Sequence, residues 1–331
     1  MLTSKYFRIN NRPLLMQHLL QRNSSANSTP FADSNQMKKP SNSDKFSSGP
    51  GDPSVMVGRD PYLVKVVHGC SKEPRLPNDR SKRRFGEDSW FVSSTPLAEV
   101  LGVADGVGGW RDMGVDPGRF ATELMACCSG QAQRPEFDGK SPRELLIASY
   151  QELKRREQPV VGSSTACLVA MHRRDCTLYT ANLGDSGFLV VRNGRILHRS
   201  EEQTHAFNTP FQLTVPPGGG QDYSLYCDRP EMAVSTRLTL QPHDLVILAT
   251  DGLFDNMPDS MLLQMLKGIR GDSERDLQAS ASRLVEKARE LSLNANFQSP
   301  FAIRARENNI PYACGGKPDD ITLILASVEV P

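Results

Sequence analysis

The sequence lacks the features that mark several large classes of protein. It has no apolar run near the roughly 18 residues that a membrane-spanning helix needs. The longest apolar stretches, such as Leu245–Ala249, have the length of a buried strand. The formal net charge is only +1, so no overall field draws the chain onto nucleic acid or an anionic membrane. We therefore expect neither nucleic acid nor a membrane span among its interactions, and we expect a monomer.

Cysteine is scarce and irregularly spaced. The seven cysteines are odd in number and contain no C-x-x-C pair, which argues against a disulfide framework or a structural zinc site and favours a reducing compartment. The C-x5-R pattern of cysteine phosphatases occurs at Cys128 to Arg134 and at Cys167 to Arg173. That pattern requires a phosphate-binding loop. Because Cys128 falls in a predicted helix and Cys167 in a predicted strand, we set this class aside.

Residues 1–60 are rich in Ser, Asn and Pro and show no usable apolar period. We predict that most of this segment is disordered, because it cannot bury enough surface to offset its ordering entropy. Its first thirty residues carry Lys5, Arg8, Arg12 and Arg22 and no acidic residue. That composition is typical of a mitochondrial presequence. An ordinary disordered tail is the alternative.

Residues 61–331 show the pattern of a single domain of strands and helices. Asn193-Gly194 between two apolar runs predicts a tight hairpin. Because most successive strands are joined by short turns, the sheets should be largely antiparallel, with helices packed outside. The predicted strands are Tyr62–His68, Ser89–Ser93, Glu99–Ala104, Ser163–Ala170, Thr177–Asn182, Gly187–Arg192, Leu245–Ala249 and Ile321–Val328.

Helix signals stand out at four places. Ser141-Pro142-Arg143-Glu144 has the pattern of a capping box with Pro at the first helical position. A second helix is predicted to begin near Ser273, where apolar residues recur on one face. Arg119–Ala132 and Asp259–Gly268 are predicted helices as well.

Acidic residues stand at the ends of several predicted strands. Asp105 and Asp251 each follow an apolar run and precede glycine, and Asp319 directly precedes the last strand beside Asp320. Glu87 and Asp88 precede the strand at Trp90. The strand ends of a sheet lie side by side, so we expect these carboxylates to converge.

Converging carboxylates repel one another by roughly 4 kcal/mol per pair at about 4 Å and an effective dielectric near 20. Such a cluster persists when a cation compensates for the charge or some groups stay protonated. Ligands that are all oxygen favour the hard ions Mg²⁺ or Mn²⁺. The glycines after Asp105 let the backbone approach closely, so a main-chain carbonyl there is a further candidate ligand. The pattern predicts a metal site.

Five short motifs, each containing at least one acidic residue, follow one another along roughly residues 61–328. Together they resemble the metal-dependent type 2C (PPM) serine/threonine protein phosphatases. The segments Asn208–Leu213 and Gly184–Leu189 resemble the mitochondrial branch of that family, which favours a presequence and a location in the mitochondrial matrix. The motifs are Arg83-Arg84-Phe85-Gly86-Glu87-Asp88, Val103-Ala104-Asp105-Gly106-Val107-Gly108-Gly109, Ala181-Asn182-Leu183-Gly184-Asp185-Ser186, Ala249-Thr250-Asp251-Gly252-Leu253-Phe254-Asp255 and Lys317-Pro318-Asp319-Asp320-Ile321-Thr322.

The resemblance implies an α+β fold, a four-layer α-β-β-α sandwich of two mainly antiparallel sheets flanked by antiparallel helix pairs. It also implies two Mn²⁺ or Mg²⁺ ions. Asp105 would bridge both ions and the Gly106 carbonyl would bind one of them. Asp251 and Asp319 would hold the other ion, and Glu87 would contact the ion beside Gly106, directly or through water.

The same resemblance implies three supporting roles. Asp88 would orient the ligands by hydrogen bonds, and Asp185 and Asp255 match acids that help to bind a looser third ion. Arg83 would grip the phosphate with its planar fork. The residues alone leave Arg84 or Lys82 as alternatives for that role.

The implied reaction is hydrolysis of phosphoserine and phosphothreonine on phosphoprotein substrates by a metal-activated water, without a phosphoenzyme intermediate. Val107 departs from the family pattern, because many members have a proton-donating His there. The alternative function is a binding or scaffold protein that keeps the fold with little or no turnover. The loss of that His favours the scaffold slightly, whereas Asp105, Asp251 and Asp319 favour the enzyme.

Overall fold

A computed structural model describes residues 60–73, 84–217, 226–269, 271 and 273–330. The predictions for residues 1–59, disorder and a presequence, lie outside the described residues. The strands are β1 (Tyr62–Cys70), β2 (Asp88–Ser94), β3 (Ala98–Asp105), β4 (Gly162–Ser164), β5 (Ala166–His172), β6 (Thr177–Leu183), β7 (Gly187–Arg192), β8 (Arg195–Arg199), β9 (Thr204–Ala206), β10 (Thr209–Pro210), β11 (Leu213–Val215), β12 (Arg237–Thr239), β13 (Leu245–Ala249) and β14 (Ile321–Glu329). The helices are α1 (Pro117–Ala132), α2 (Pro142–Lys154), α3 (Asp251–Phe254), α4 (Asp259–Leu266), α5 (Glu274–Ser292) and α6 (Pro300–Glu307), with short 3₁₀ turns at Gly108–Met113 and Pro230–Met232.

The larger strands form two five-stranded antiparallel sheets. Sheet I has the order β1-β14-β13-β7-β8, and sheet II has the order β12-β6-β5-β3-β2. Asn193 and Gly194, both with positive φ, make the turn between β7 and β8, so the hairpin prediction is confirmed. Two small pairs, β9 with β10 and β4 with β11, complete the pairing.

The sheets face each other because both faces of their central strands are apolar. Along β13, Val246 and Leu248 lie in the cluster between the sheets, whereas Ile247 and Ala249 face the helices. This alternation follows from the two-residue period of a strand. A strand buried on both faces reads as a continuous apolar run.

Helices cover the outer face of each sheet. On sheet II, Leu124 of α1 and Leu146 of α2 pack in one cluster with Val100 of β3. Side-chain contacts join Glu123 to Arg156 and Gln131 to Glu152, so α1 and α2 run antiparallel. On sheet I, α5 buries its apolar face against β14. The predicted α+β four-layer sandwich is confirmed.

Two local predictions were wrong in detail. Ser141 makes no capping hydrogen bond through its side chain, because its backbone lies at φ −131° and ψ 64°, although α2 begins at Pro142 as predicted. The predicted strand Ser163–Ala170 is divided at Thr165. The Thr165 hydroxyl accepts a hydrogen bond from Asp105 N at 3.0 Å, and β4 pairs with β11 rather than with sheet II. Helices α3 and α6 were not predicted.

None of the helices within the described residues combines the length and apolar character needed to cross a membrane.

Candidate metal centre

The acidic residues converge where the two sheets end side by side. Asp105 closes β3 and lies directly across from Asp88, which opens β2. Asp251 begins α3 immediately after β13, and Asp319 lies just before β14, the neighbour of β13 in sheet I. The expectation of convergence from distant parts of the chain is correct.

Two lysines hold these carboxylates together. Lys72 Nζ lies 2.7 Å from Glu87 Oε2 and 3.0 Å from Asp319 Oδ1. Lys317 Nζ lies 2.5 Å from Asp251 Oδ2 and 3.2 Å from Asp319 Oδ2. Asp319 therefore joins the two ammonium groups, one through each of its oxygens.

An open pocket of about 310 Å³ contains this cluster. It has acidic, glycine-rich and basic walls, and its rim includes a residue of the small β9–β10 pair. The lining residues are Lys72, Glu87, Asp105, Gly106, Val107, Gly108, Gly109, Thr165, Asp185, Asn208, Pro210, Asp251, Lys317 and Asp319.

Buried backbone contacts fix Glu87 at the pocket wall. Asp320 Oδ2 accepts a hydrogen bond from Glu87 N at 2.9 Å, and Asp320 Oδ1 accepts one from Lys72 N at 2.7 Å. Gly86 has φ +61°, and a Cβ there would lie 2.1 Å from Asp320 Oδ1, so only glycine allows this approach. Arg111 Nε donates to Glu87 Oε1 at 2.6 Å, which aims the carboxylate.

Asp88 lies behind the pocket and is buried. Its Oδ2 accepts a hydrogen bond from Thr250 Oγ1 at 2.8 Å, and Thr250 immediately precedes Asp251. The threonine hydroxyl in turn accepts from Thr322 N at 3.0 Å. Asp88 thus links the ends of sheets I and II beneath the carboxylates.

The pKa values in the pocket show how crowded the negative charge is. Burial, followed by the nearby Asp251 carboxylate, raises the pKa of Asp105 well above its usual range. Burial also raises the pKa of Asp251 to about 6, although Lys317 opposes the rise. Burial alone would also raise the pKa of Asp319. The positive charges of Lys317 and Lys72 outweigh this effect and hold the pKa of this carboxyl below its usual value.

The donor set fits a divalent cation. Three buried carboxylate oxygens have no hydrogen-bond partner among the described residues: Asp251 Oδ1, Asp185 Oδ1 and Asp88 Oδ1. Buried polar atoms normally have a hydrogen-bond partner or another ligand. As the side chains stand, no three acidic, His or Cys groups of the described residues surround one point at ligand distances. The two ammonium groups occupy the space between the carboxylates, so a bound cation would replace their contacts.

Gly106 and Val107 continue the wall beyond Asp105. Gly106 N donates to the Glu87 carbonyl at 3.3 Å, and Val107 N donates to the Ser163 carbonyl at 3.0 Å. The Val107 side chain lines the pocket, at the position where the resemblance leads one to expect a proton donor. It offers no proton to a leaving group.

The candidates for gripping phosphate are only partly described. Arg83 and Lys82 lie outside the described residues. Arg84 Nη2 lies 3.2 Å from His68 Nδ1, and its guanidinium lies 5.5 Å from the Phe85 ring centroid, so Arg84 is engaged outside the acidic pocket. Cys128 lies in α1 and Cys167 in β5, and burial raises the pKa of both thiols, that of Cys128 to about 12. Neither is a reactive thiolate.

The sequence interpretation missed the basic partners of the acidic cluster. Lys317 directly precedes Pro318 in the last motif, so a basic residue within an acidic motif was a usable signal. No sequence signal pointed to Lys72, because its partner Asp319 is 247 residues away in the chain. Arg304 of α6, a partner of Asp255, was missed for the same reason.

Comparisons with known proteins show which family the chain resembles. A family model for stage II sporulation protein E (SpoIIE) matches residues 101–329. The chain is 76% identical over 273 residues to "Protein phosphatase PTC7 homolog fig" of Drosophila simulans, covering 82% of this chain and 87% of the relative. It is 61% identical over 279 residues to the protein of the same name from Drosophila virilis, covering 82% and 88%.

Solved structures with the same fold include phosphatases. The chain resembles the X-ray structure of the photosystem II phosphatase PBCP with a TM-score of 0.67 and 29% identity, covering 81% of this chain and 99% of that one. It also resembles the S. agalactiae serine/threonine phosphatase with a TM-score of 0.53 and 15% identity, covering 81% and 100%. The second likeness concerns the fold alone.

Proposed function

The chain belongs to the SpoIIE/PP2C family of protein phosphatases, and we propose that its acidic pocket is the catalytic centre. It is a protein serine/threonine phosphatase, and its substrates are phosphorylated proteins. The observation that carries the proposal is the meeting of Asp105, Asp251 and Asp319 in one pocket with Lys72 and Lys317 between them. The inactive alternative has nothing further in its favour, because the acidic residues of all five motifs are present.

The proposed ligands of two Mn²⁺ or Mg²⁺ ions are Asp105, the Gly106 carbonyl, Asp251, Asp319 and Glu87. Their oxygen chemistry suits hard divalent ions, and the partnerless Asp251 oxygen supports the assignment. When bound, such ions polarise water and offset the charge of a phosphoryl group.

The chain's own residues prepare the pocket for that chemistry. The pocket concentrates the negative charge of Asp105, Asp251 and Asp319. The ammonium groups of Lys72 and Lys317 offset part of this charge, and bound divalent ions would take their place. Arg111 and the backbone contacts of Asp320 hold Glu87 in position. Asp88, through Thr250, positions the start of α3 and with it Asp251.

Arg83 is the proposed phosphate-gripping residue, on the strength of its position four residues before Glu87 in the first motif. A guanidinium binds two phosphate oxygens at once. Arg84 is the weaker candidate, because its contacts with His68 and Phe85 direct it elsewhere.

We also propose that the protein acts in the mitochondrial matrix. The support is the basic, acid-free composition of the first thirty residues and the resemblance of Asn208–Leu213 and Gly184–Leu189 to the mitochondrial branch of the family.

Hydrolysis of p-nitrophenyl phosphate and of phosphoserine and phosphothreonine peptides by the full chain tests the proposed centre. We expect Mn²⁺ or Mg²⁺ to support turnover and EDTA to abolish it. Asp251→Asn should lower kcat by at least about 100-fold, because the ligand that positions one ion loses its charge. Its circular dichroism should remain that of the folded protein.

Three results would contradict the proposal. Turnover that persists in EDTA would exclude the metal centre, and near-normal rates for Asp251→Asn would mean that the site lies elsewhere. No turnover with any divalent ion would favour the scaffold.

A further inference from the structure

Both carboxylate oxygens of Asp255 already bind basic side chains. Oδ1 accepts a short hydrogen bond from Arg304 Nη2, and Oδ2 accepts one from Lys317 Nζ at 2.8 Å. The Asp255 side chain is only 5% exposed. A divalent ion at either oxygen would lie beside a guanidinium or an ammonium group, and like charges at that range repel strongly in a buried place.

The two basic partners of Asp255 differ in what else they contact. Lys317 also binds Asp251 and Asp319, which are proposed ligands, so divalent ions compete with it directly. Among the acidic side chains of the described residues, Arg304 contacts Asp255 and, at 3.9 Å, Glu202. Neither is a proposed ligand of the two ions. Binding of two ions therefore leaves the Arg304–Asp255 pair intact.

The fold fixes Arg304 at this position. Ser299 caps α6 by accepting a hydrogen bond from Ala302 N at 3.0 Å. In the same first turn, Phe301 N donates to the Asp255 carbonyl at 3.0 Å. Residues 301 and 304 are three positions apart and so lie on the same side of a helix. The backbone and the guanidinium of α6 thus grip the same aspartate.

The guanidinium borders a cavity that adjoins the acidic pocket. Arg304, Asp255 and Glu202 line a cavity of about 200 Å³. Asp185 and Asn208 belong both to this cavity and to the acidic pocket, so the two are adjacent. Asp185 Oδ1 has no partner within the described residues, whereas both oxygens of Asp255, the other acid expected to bind a third ion, already contact basic groups.

We propose that Arg304 takes the place of the third cation expected at Asp185 and Asp255, so that this chain binds two divalent ions and not three. The inference rests on the proposed function, since it assumes the two-ion centre at Asp105, Asp251 and Asp319. A guanidinium supplied by α6 gives this side of the pocket a positive charge at every metal concentration, whereas a loosely bound ion does so only when the metal is abundant.

Counting bound Mn²⁺ tests the assignment without relying on activity. The full chain is freed of metal with a chelator and titrated with Mn²⁺ alone, and bound ions are counted by calorimetry and by the paramagnetic resonance signal of free Mn²⁺. We expect two ions in the native protein. Arg304→Gln should bind one additional ion, because Gln keeps the length of the side chain and removes its charge.

Arg306→Gln is the matched control. Arg306 lies on the same helix but contacts Gln298 and the Ala313 carbonyl, so its removal should leave the count at two. Arg304→Met, which also removes the charge, gives a second count should Arg304→Gln fail to fold, and it should likewise bind one additional ion. Asp255→Asn tests the acidic partner of Arg304. We expect this variant to bind two ions, as the native protein does, because Asp255 is not a ligand.

Three ions in the native protein, falling to two in Asp255→Asn, would overturn the inference and leave the proposed function standing. An unchanged count of two in folded Arg304→Gln would also overturn it, because Arg304 would then not be what excludes the ion. A count below two in the native protein would contradict the proposed two-ion centre, and the inference would fall with it.

Discussion

At the scale of single residues, Lys72 and Lys317 determine how the acidic pocket behaves before a divalent ion binds. Each ammonium contacts three carboxylates within 4.0 Å. These contacts lower the pKa of Asp319, but burial still raises the pKa of Asp105, Asp185 and Asp251. Two single charges therefore compensate only part of the cluster.

The pH dependence of metal-free stability follows from these shifts. The folded pKa of Asp251, about 6, lies above its ordinary value of 3.8. The folded state therefore binds more protons than the unfolded state across that interval, and the free energy of unfolding falls as pH rises through it. The lowered pKa of Asp319 instead stabilises the folded protein at neutral pH. That stabilisation is lost only when the pH falls below 3.8, where Asp319 becomes protonated in the folded protein.

We predict that Mn²⁺ raises the melting temperature more at pH 7 than at pH 5, because the carboxylates that bind it are deprotonated only at the higher pH. The rise at pH 7 should be about 5–10 °C with Mn²⁺ at roughly 100 times its dissociation constant. Thermal unfolding with and without Mn²⁺ at both pH values measures this effect. An equal or larger rise at pH 5 would show that the acidic cluster is not what binds the ion.

At the scale of elements, the site depends on how closely α3 approaches the start of β14. A Cβ at Gly252 would lie 2.0 Å from the Asp320 carbonyl oxygen, which is a backbone atom and cannot rotate away. Glycine thus allows Asp251, at the start of α3, and Asp319, just before β14, to bind the same lysine.

Gly252→Ala should separate these two elements. We expect a loss of about 1–3 kcal/mol in the free energy of unfolding through overpacking and a fall in kcat of roughly 100-fold through misplacement of Asp251. Urea unfolding and phosphopeptide turnover measure the two effects.

Gly130→Ala is the matched control, since Gly130 lies exposed in α1 and a Cβ added there would have no neighbouring atom within 4 Å. It should stabilise the protein by about 0.4–1 kcal/mol and leave turnover unchanged. Native activity in Gly252→Ala would mean that the approach of α3 to β14 does not position the site.

Elements with a strong local signal were predictable from the sequence. The apolar runs of β13 and β14 and the carboxylates at their ends carry their own signal, because a buried strand is apolar on both faces. The absence of the predicted cap at Ser141 was not predictable, since backbone conformation overrode a matching residue pattern. The Lys72 and Arg304 contacts were not predictable either, because residues far apart in the chain meet only after both sheets have formed.

At the scale of the whole molecule, the acidic pocket lies at one edge of the sandwich, where the ends of sheets I and II meet. Leu124 packs with Leu146 on one side and Ile247 with Leu284 on the other, and none of these four residues lines the acidic pocket. The apolar pattern thus predicted antiparallel sheets covered by helices, whereas the four-layer arrangement and the individual ligands were implied only by the motif resemblance.

The location of the protein is a prediction for the whole chain. A fluorescent tag at the C-terminus should direct the full-length protein to mitochondria, because the basic first thirty residues would act as a presequence. The same fusion lacking residues 1–60 should remain in the cytosol. Identical distributions of the two fusions would contradict the presequence.

Anomalous X-ray scattering from crystals soaked in Mn²⁺ would show directly whether divalent ions bind in the acidic pocket. We predict two manganese peaks, with Asp105 beside both, Asp251 and Asp319 beside one and the Gly106 carbonyl beside the other. Lys72 and Lys317 should have moved away from these carboxylates. Crystals with no manganese at Asp105, or with Asp105, Asp251 and Asp319 far from one another, would contradict this prediction.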